Sequence, residues 1–414
     1  MRDEMKKVPR LRFRGFQEDW ELCKLGDVAD HFEYGLNASA IEYDGKNKYL
    51  RITDIDDSSR KFIQNKLTSP NINVEEASNY ILTVGDILFA RTGASVGKTY
   101  RYDIKDGKVY FAGFLIRARI KDSFDSEFVY WTTLTDRYNT FIKIMSQRSG
   151  QPGINAKEYS SFNILIPNIK EQQKIGAFLK KIDDTIALHQ RKLDQLKELK
   201  KAYLQVMFPV KDERAPKLRF ADFEGEWEQC KLEDYATYRR GSFPQPYGNK
   251  KWYDGENAMP FVQVIDVTEQ LSLVKDTKQK ISKLAQSKSV FVSAGKVVVT
   301  LQGSIGRVAI TQYNSYIDRT LLVFESYEKE TDEYFWAYTI QQKFEIEKRK
   351  APGGTIKTIT KEALSSFEVN FPEYEEQQKN GNFLKNLDNI LTLDQKKLDQ
   401  LKSLKKSYLQ NMFI

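Results

Sequence analysis

Residues 171–208 read EQQKIGAFLKKIDDTIALHQRKLDQLKELKKAYLQVMF, and residues 376–413 read EQQKNGNFLKNLDNILTLDQKKLDQLKSLKKSYLQNMF. About six positions in ten are identical, which marks an internal duplication. Apolar residues fall at Phe178, Leu179, Ile182, Ile186, Leu193, Leu196, Leu199, Tyr203 and Leu204. In the second copy they fall at Phe383, Leu384, Leu387, Leu391, Leu398, Leu401, Leu404, Tyr408 and Leu409. This is a helical stripe of near-heptad period. A helix of about 36 residues is about 54 Å long, and alone it cannot hide such a stripe from water. The partner for each copy is the other. Because Pro209 and a whole domain separate them, the expected arrangement is an antiparallel coiled coil with a globular domain at each end.

The expected segmentation is a first domain over 1–166, a spacer helix over 167–208, a linker over 209–216, a second domain over 217–371 and a second spacer helix over 372–414. The expected class is α+β, with two α/β domains in pseudo-two-fold repeat. A chain of 414 residues with 40% hydrophobic and 13% aromatic content can build such cores. A net charge of +8 and a pI near 9.0 favour an acidic partner, nucleic acid before a membrane surface. Cys23 and Cys230 occupy equivalent places and read as reduced, packed thiols. Neither a signal peptide nor a run of transmembrane length is visible, so a cytoplasmic protein without a membrane role is expected.

The duplication covers both edges of each half. Residues 11–27, LRFRGFQEDWELCKLGD, return at 218–234 as LRFADFEGEWEQCKLED. Phe13, Phe16 and Trp20, with Phe220, Phe223 and Trp227, read as aromatic docking residues for the lead-in segment. Between these edges the halves diverge around a faint skeleton. Tyr49 to Ile55 resembles Phe261 to Val267, and Gly85-Asp86-Ile87-Leu88 resembles Gly295-Lys296-Val297-Val298. Short β-branched and aromatic runs bounded by Gly, Asp and Ser predict strands. One fold serving two targets would diverge this way, as would neutral drift.

Ala90 to Thr99, ARTGASVGKT, superficially resembles a nucleotide-binding P-loop. Such a loop needs four residues between its glycines, and Gly93 to Gly97 leaves three. The second copy, Gln302 to Arg307, lacks the Lys-Ser/Thr pair. The stretch reads instead as a Gly-rich turn offering Arg91, Lys98, Gln302 and Arg307 to phosphates or base edges. Each of them fits a plain solvated turn equally well. A second pair of basic, Gly-rich loops, 147–155 and 348–357, offers Gln147, Arg148, Gln151, Arg349, Lys350 and Lys357. Arg51 and Gln263, at matching places in the skeleton, complete the candidate DNA contacts.

No catalytic constellation is visible. His31 and His189 are the only histidines, and acids such as Asp54 and Asp266 read as turn partners, so neither catalytic nor metal-binding residues are assigned. His189 lies at the midpoint of the first long helix and Asp394 at the matching place of the second. In an antiparallel pair the midpoints meet, and the two could fix helix register; a solvated placement at the edge of the seam is equally compatible.

Two divergent domains alternating with two near-identical helices, each opened by Pro-x-x-x-Glu-Gln-Gln-Lys at Pro167 and Pro372, resemble the DNA specificity subunit of a type I restriction–modification system. The resemblance spans the whole chain. It implies that each variable domain is a target recognition domain reading one half of a bipartite double-stranded DNA site. It further implies that the helices space the two domains and bind methyltransferase subunits, two per chain, with restriction/translocase subunits joining later. No cofactor is expected in this chain; S-adenosylmethionine, ATP and Mg would belong to the partners. The alternatives are a coiled-coil scaffold that binds only proteins and a stand-alone DNA enzyme.

Overall fold

A computed structural model describes residues 7–73, 77–148, 150–210, 213–350, 359 and 361–414, with the side chains of 348–350 and 361–362 left undescribed. The chain divides into two compact units. One is 1–190 with 397–414, and the other is 191–396. Each contains one α/β domain and a segment of both long helices, Ile169–Val206 and Tyr374–Met412.

The two units repeat one sheet. In the first, Ala29–Tyr34, Leu115–Ile120, Asp86–Ala90 and Thr99–Arg101 lie side by side in that order, all antiparallel. In the second the order is Ala236–Arg240, Leu321–Tyr327, Val297–Thr300 and Val308–Ile310. The Asp86–Ala90 strand is buried throughout because side chains alternate across a sheet that is covered on both faces. Ile87 and Phe89 join the core beneath the helices, while Leu88 and Ala90 join the core beneath the opposite layer. Val297 and Val299 divide from Val298 in the same way.

The opposite layer differs between the units. Lys48–Leu50 pairs in parallel with Val109–Phe111 as an isolated two-stranded sheet. Met259–Val262 pairs in parallel with Ser315–Ile317, extended by Gln279–Ile281 and Val290–Val292 to four strands. The strands expected over 49–55 and 261–267 stop early, because Asp54 and Asp266 cap one-turn 3-10 helices over Ile52–Asp54 and Val264–Asp266. Each carboxylate accepts from the backbone N–H three residues before it, Arg51 at 3.0 Å and Gln263 at 2.8 Å. That is the turn-partner role expected of both acids.

The Glu-Gln-Gln-Lys motif is the joint between helix and domain. Glu171 is fully buried and accepts a bidentate pair from Arg12, at 2.7 and 2.8 Å. Glu376 does the same with Arg219, at 2.7 and 2.6 Å. Gln172 donates to the Pro167 carbonyl and accepts from the Asp125 N–H; Gln377 repeats this with Pro372 and Asp332. The aromatic docking residues stand as expected. Trp20 packs on Phe128 and Phe413, and Trp227 on Phe335 and Phe208. Phe13 meets Phe178 and Phe220 meets Phe383, while Lys174 lies over Phe16 and Lys379 over Phe223.

Within each unit the helix segments run antiparallel. In the first, Phe178 meets Tyr408 edge-on and Asp183 pairs with Lys405 at 2.6 Å. In the second, Tyr203 meets Phe383 and Lys200 pairs with Asp388 at 2.5 Å. Leu193 and Leu398 are buried as the stripe predicts. Leu199 and Leu404 depart from it, each 44% exposed, because the core seam is narrower than the full apolar stripe.

Candidate nucleic-acid interface

The Gly-rich turn and the loop that follows it 50 residues later in the sequence come together in the first unit. The Gly93 N–H donates to the Pro152 carbonyl at 3.0 Å, Thr92 bridges Gly153, and the Ile154 N–H donates to the Arg91 carbonyl at 2.9 Å. Gln151 sits against Gly93, so closely that a Cβ there would meet its Nε2 at 2.9 Å. Arg91, Gln147 and Gln151 thus share one loop cluster, with Gln147 and Gln151 exposed and Arg91 half-buried. In the second unit Gln302 is exposed on the corresponding turn. Arg349 and Lys350 end the helix Glu333–Lys350 with side chains outside the described residues, and Lys357 lies outside them altogether.

Three basic candidates already hold partners within the chain, and for buried Lys98 this corrects the expectation of a freely available phosphate contact. Lys98 is buried; its Nζ donates to the Ile55 carbonyl at 3.1 Å and pairs with Asp57 at 2.5 Å. Arg307 repeats the tie, reaching the Val267 carbonyl at 3.4 Å and Glu269 at 3.3 Å. Both cations lock the Gly-rich turn to the turn that follows the first parallel strand. Arg148 caps the helix Asp136–Met145, donating to the Met145 and Gln147 carbonyls and to Glu158. Arg51 spends its fork on Asp54, at 2.8 and 2.9 Å, and stays part-exposed, whereas Gln263 turns its amide outward to the Tyr247 hydroxyl at 2.8 Å. Asp394 pairs with Lys192 at 2.9 Å.

The structure also assembles groups that the sequence did not single out. At the tip between Val109–Phe111 and Leu115–Ile120, Arg91 lies 4.9 Å over the Tyr34 ring and donates to the Gly113 carbonyl, beside Phe114, which is 62% exposed. In the second unit Arg240 donates to the Arg319 carbonyl, and Arg319 lies 5.4 Å over Tyr247. Burial and the nearby Asp318 charge push the Tyr247 phenol above its usual range, so it stays a neutral hydrogen-bonding group. Lys251 and Lys288 flank the Trp252 ring, from its own segment and from the turn after Lys283–Gln286. Gly35 and Gly241 make this geometry possible: a Cβ at either would strike a backbone carbonyl oxygen, of Ala112 at 2.3 Å or of Asp318 at 2.2 Å. Spacing alone cannot reveal such a cluster, since its members lie on strand ends far apart in the chain. Exposed cations, aromatic faces and amides are the chemistry that holds phosphates and reads base edges.

Residues 17–198 and 224–403 each match the type I restriction modification DNA specificity domain, so the chain belongs to that family and carries the domain twice. It is 23% identical over 413 residues to the putative type I restriction enzyme MjaX specificity subunit of Methanocaldococcus jannaschii, spanning 94% of this chain and 91% of that protein. It is 22% identical over 412 residues to the MjaVIII specificity subunit of the same organism, with the same coverage. The fold is similar to the crystal structure of the S subunit of a type I restriction–modification system from M. genitalium. That match has a TM-score of 0.66 at 13% identity and covers 98% of this chain and 99% of that one. A chain from a study of type I R-M complex assembly and conformational transition matches with a TM-score of 0.54 at 18% identity, covering 95% and 97%.

Proposed function

We propose that the chain is the non-catalytic, sequence-specific DNA recognition subunit of a type I restriction–modification complex, each domain reading one half of a bipartite, asymmetric double-stranded site. The observation that carries this reading is the unequal divergence of a duplicated family domain: the helix–domain joint is repeated residue for residue, while exposed loop residues differ. The spacer helices set the gap between half-sites, about one helical turn or about 34 Å of B-DNA. Methyltransferase subunits dock on the helices, and restriction/translocase subunits join the assembly. S-adenosylmethionine, ATP and Mg belong to those partners. The twofold repeat of the helices is the ground for two methyltransferase subunits per chain; the equivalent Leu188 and Leu393 are 62% and 66% exposed, one on each helix.

The test is base-resolved methylation mapping in a cell free of its own systems, with the neighbouring methyltransferase alone or together with this chain. A split motif with methyladenine in both halves, appearing only with the chain, is expected. A soluble complex that adds no motif and shows no salt-dependent DNA affinity would favour a protein-only scaffold instead.

A further inference from the structure

In each half an arginine is anchored on the same backbone carbonyl, and it comes from a different strand. The correspondence of the two tips rests on three shared hydrogen bonds and close approaches. The Gly35 N–H donates to the Leu115 carbonyl and the Gly241 N–H to that of Leu321. The Arg91 N–H donates to the Phe114 carbonyl and the Leu301 N–H to that of Thr320. A Cβ on Gly35 would meet the carbonyls of Phe111 and Ala112, and one on Gly241 those of Ile317 and Asp318. Gly113 therefore corresponds to Arg319, Arg91 to Leu301, and Tyr34 to Arg240.

The guanidinium donates to Gly113 from just beyond the Asp86–Ala90 strand in the first half. In the second half it donates to Arg319 from the end of the Ala236–Arg240 strand. The strand that supplies the cation in one half supplies an aromatic ring or an apolar residue in the other. A purely structural tie would be kept by one residue type at one position, as Arg12 and Arg219 are kept, and drift would lose the cation from one half. What persists is the place of the charge.

Its surroundings are suited to DNA and differ between halves. The first tip offers the Tyr34 ring and exposed Phe114. The second offers Arg319 over Tyr247, with Gln263 hydrogen-bonded to the Tyr247 hydroxyl. Asp318 beneath the second tip is 4% exposed and accepts from the Thr320 hydroxyl, leaving the two arginines to dominate the outer surface.

We propose that Arg91 in the first domain and Arg240 in the second are the DNA-contacting residues around which each reading edge is built, with Gln263 as a base-reading amide beside Arg240. This rests on the DNA-recognition reading above. Arg is suited to guanine O6/N7, and Gln to adenine N6/N7.

The experiment uses the full chain with its methyltransferase and a duplex carrying the motif mapped with the wild-type chain. Arg91→Lys and Arg240→Lys keep the charge and lose the fork, and Gln263→Leu removes the amide; melting temperatures within two or so degrees of wild type confirm folding. Each variant is expected to weaken binding about 5- to 150-fold, the loss of one bidentate contact. In methylation maps Arg91→Lys is expected to relax base preference in one half of the motif only. Arg240→Lys and Gln263→Leu should relax the other half only. Relaxation of the same half by Arg91→Lys and Arg240→Lys, or unchanged motif and affinity in both while the wild type binds and directs methylation, would overturn the assignment and leave the recognition reading standing. A wild-type complex that neither binds nor directs methylation overturns both.

Discussion

The helix–domain joints and the strand tips of this chain have had the same time to diverge since duplication; the joints have stayed alike, whereas the tips and the layer opposite the helices have not. At the joints Arg12 and Arg219 reach Glu171 and Glu376 in the same bidentate way, and Trp20 and Trp227 pack on equivalent phenylalanines. Between these two regions, at the strand end opposite Arg91, even the charge signs reverse. Asp86 in the first sheet is paired with Arg119, whereas its counterpart Lys296 donates to the carbonyl of Glu325, the counterpart of Arg119. The joint is constrained by burial, where an unpaired charge is expensive. On the reading proposed above, the tips answer to an external partner instead, and two half-sites ask for two chemistries.

The comparison breaks most severely if the joints are unequal. Trp20→Ala and Trp227→Ala should each cost about 3–5 kcal/mol, as large core truncations do, in equal measure for the two units. Calorimetry should show one transition lowered in each variant; a loss confined to one tryptophan would mean that the joints only look alike. Glu171→Ala and Glu376→Ala should follow at about 3 kcal/mol each, since either leaves a largely buried guanidinium uncompensated. The readout is the shift in urea midpoint, and a stabilised variant would show that the pair is retained for geometry rather than for folding.

The ties of the Gly-rich turns sharpen the comparison at a smaller scale. Lys98→Met should cost about 1–2 kcal/mol, because a buried carbonyl loses its donor. Arg307→Met should cost less than about 1 kcal/mol, because its partner Glu269 is solvent-exposed. DNA affinity should change little in either once folding is corrected for; a loss of tenfold or more would restore these two cations to the interface.

The joint was legible in the sequence because both copies print it: repeated glutamates, glutamines and aromatic residues at fixed spacing demand one structure. The helical stripe likewise gave the antiparallel pairing, though it extended to Leu199 and Leu404, whose exposure only three-dimensional packing decides. The candidate interface was legible at the level of loops. Arg91 and Gln151 do fall in one loop cluster, but Lys98 and Arg307 look identical to free surface cations in a string of letters, and their capture by carbonyls depends on turns 43 and 40 residues away. Arg240, Tyr247 and Arg319 carried no spacing signal, because a strand end, a loop and a turn tip become neighbours only through the sheet.

The smallest expected difference lies in one hairpin. Residues 56–61 and 268–272 close equivalent turns, through the Asp56 N–H on the Lys61 carbonyl and the Thr268 N–H on the Ser272 carbonyl. In the first, the Asp56 carboxylate accepts from the Ser59 and Ser58 amides and hydroxyls, and these bonds, led by the Ser59 N–H, lower its pKa to about 2. In the second, Thr268 uses a hydroxyl that does not titrate. A folded pKa below the unfolded value of about 3.9 means that the first turn's added stability is present in full above about pH 4. It fades as the pH falls toward 2. The Ser59 amide resonance should therefore titrate with a midpoint near 2 in the wild type and not at all in Asp56→Asn, while amides of 268–272 show no matching transition. A midpoint near 3.9 would mean that the four hydrogen bonds do not favour the ionised carboxylate in solution, and that the two turns are equivalent in chemistry as well as in shape.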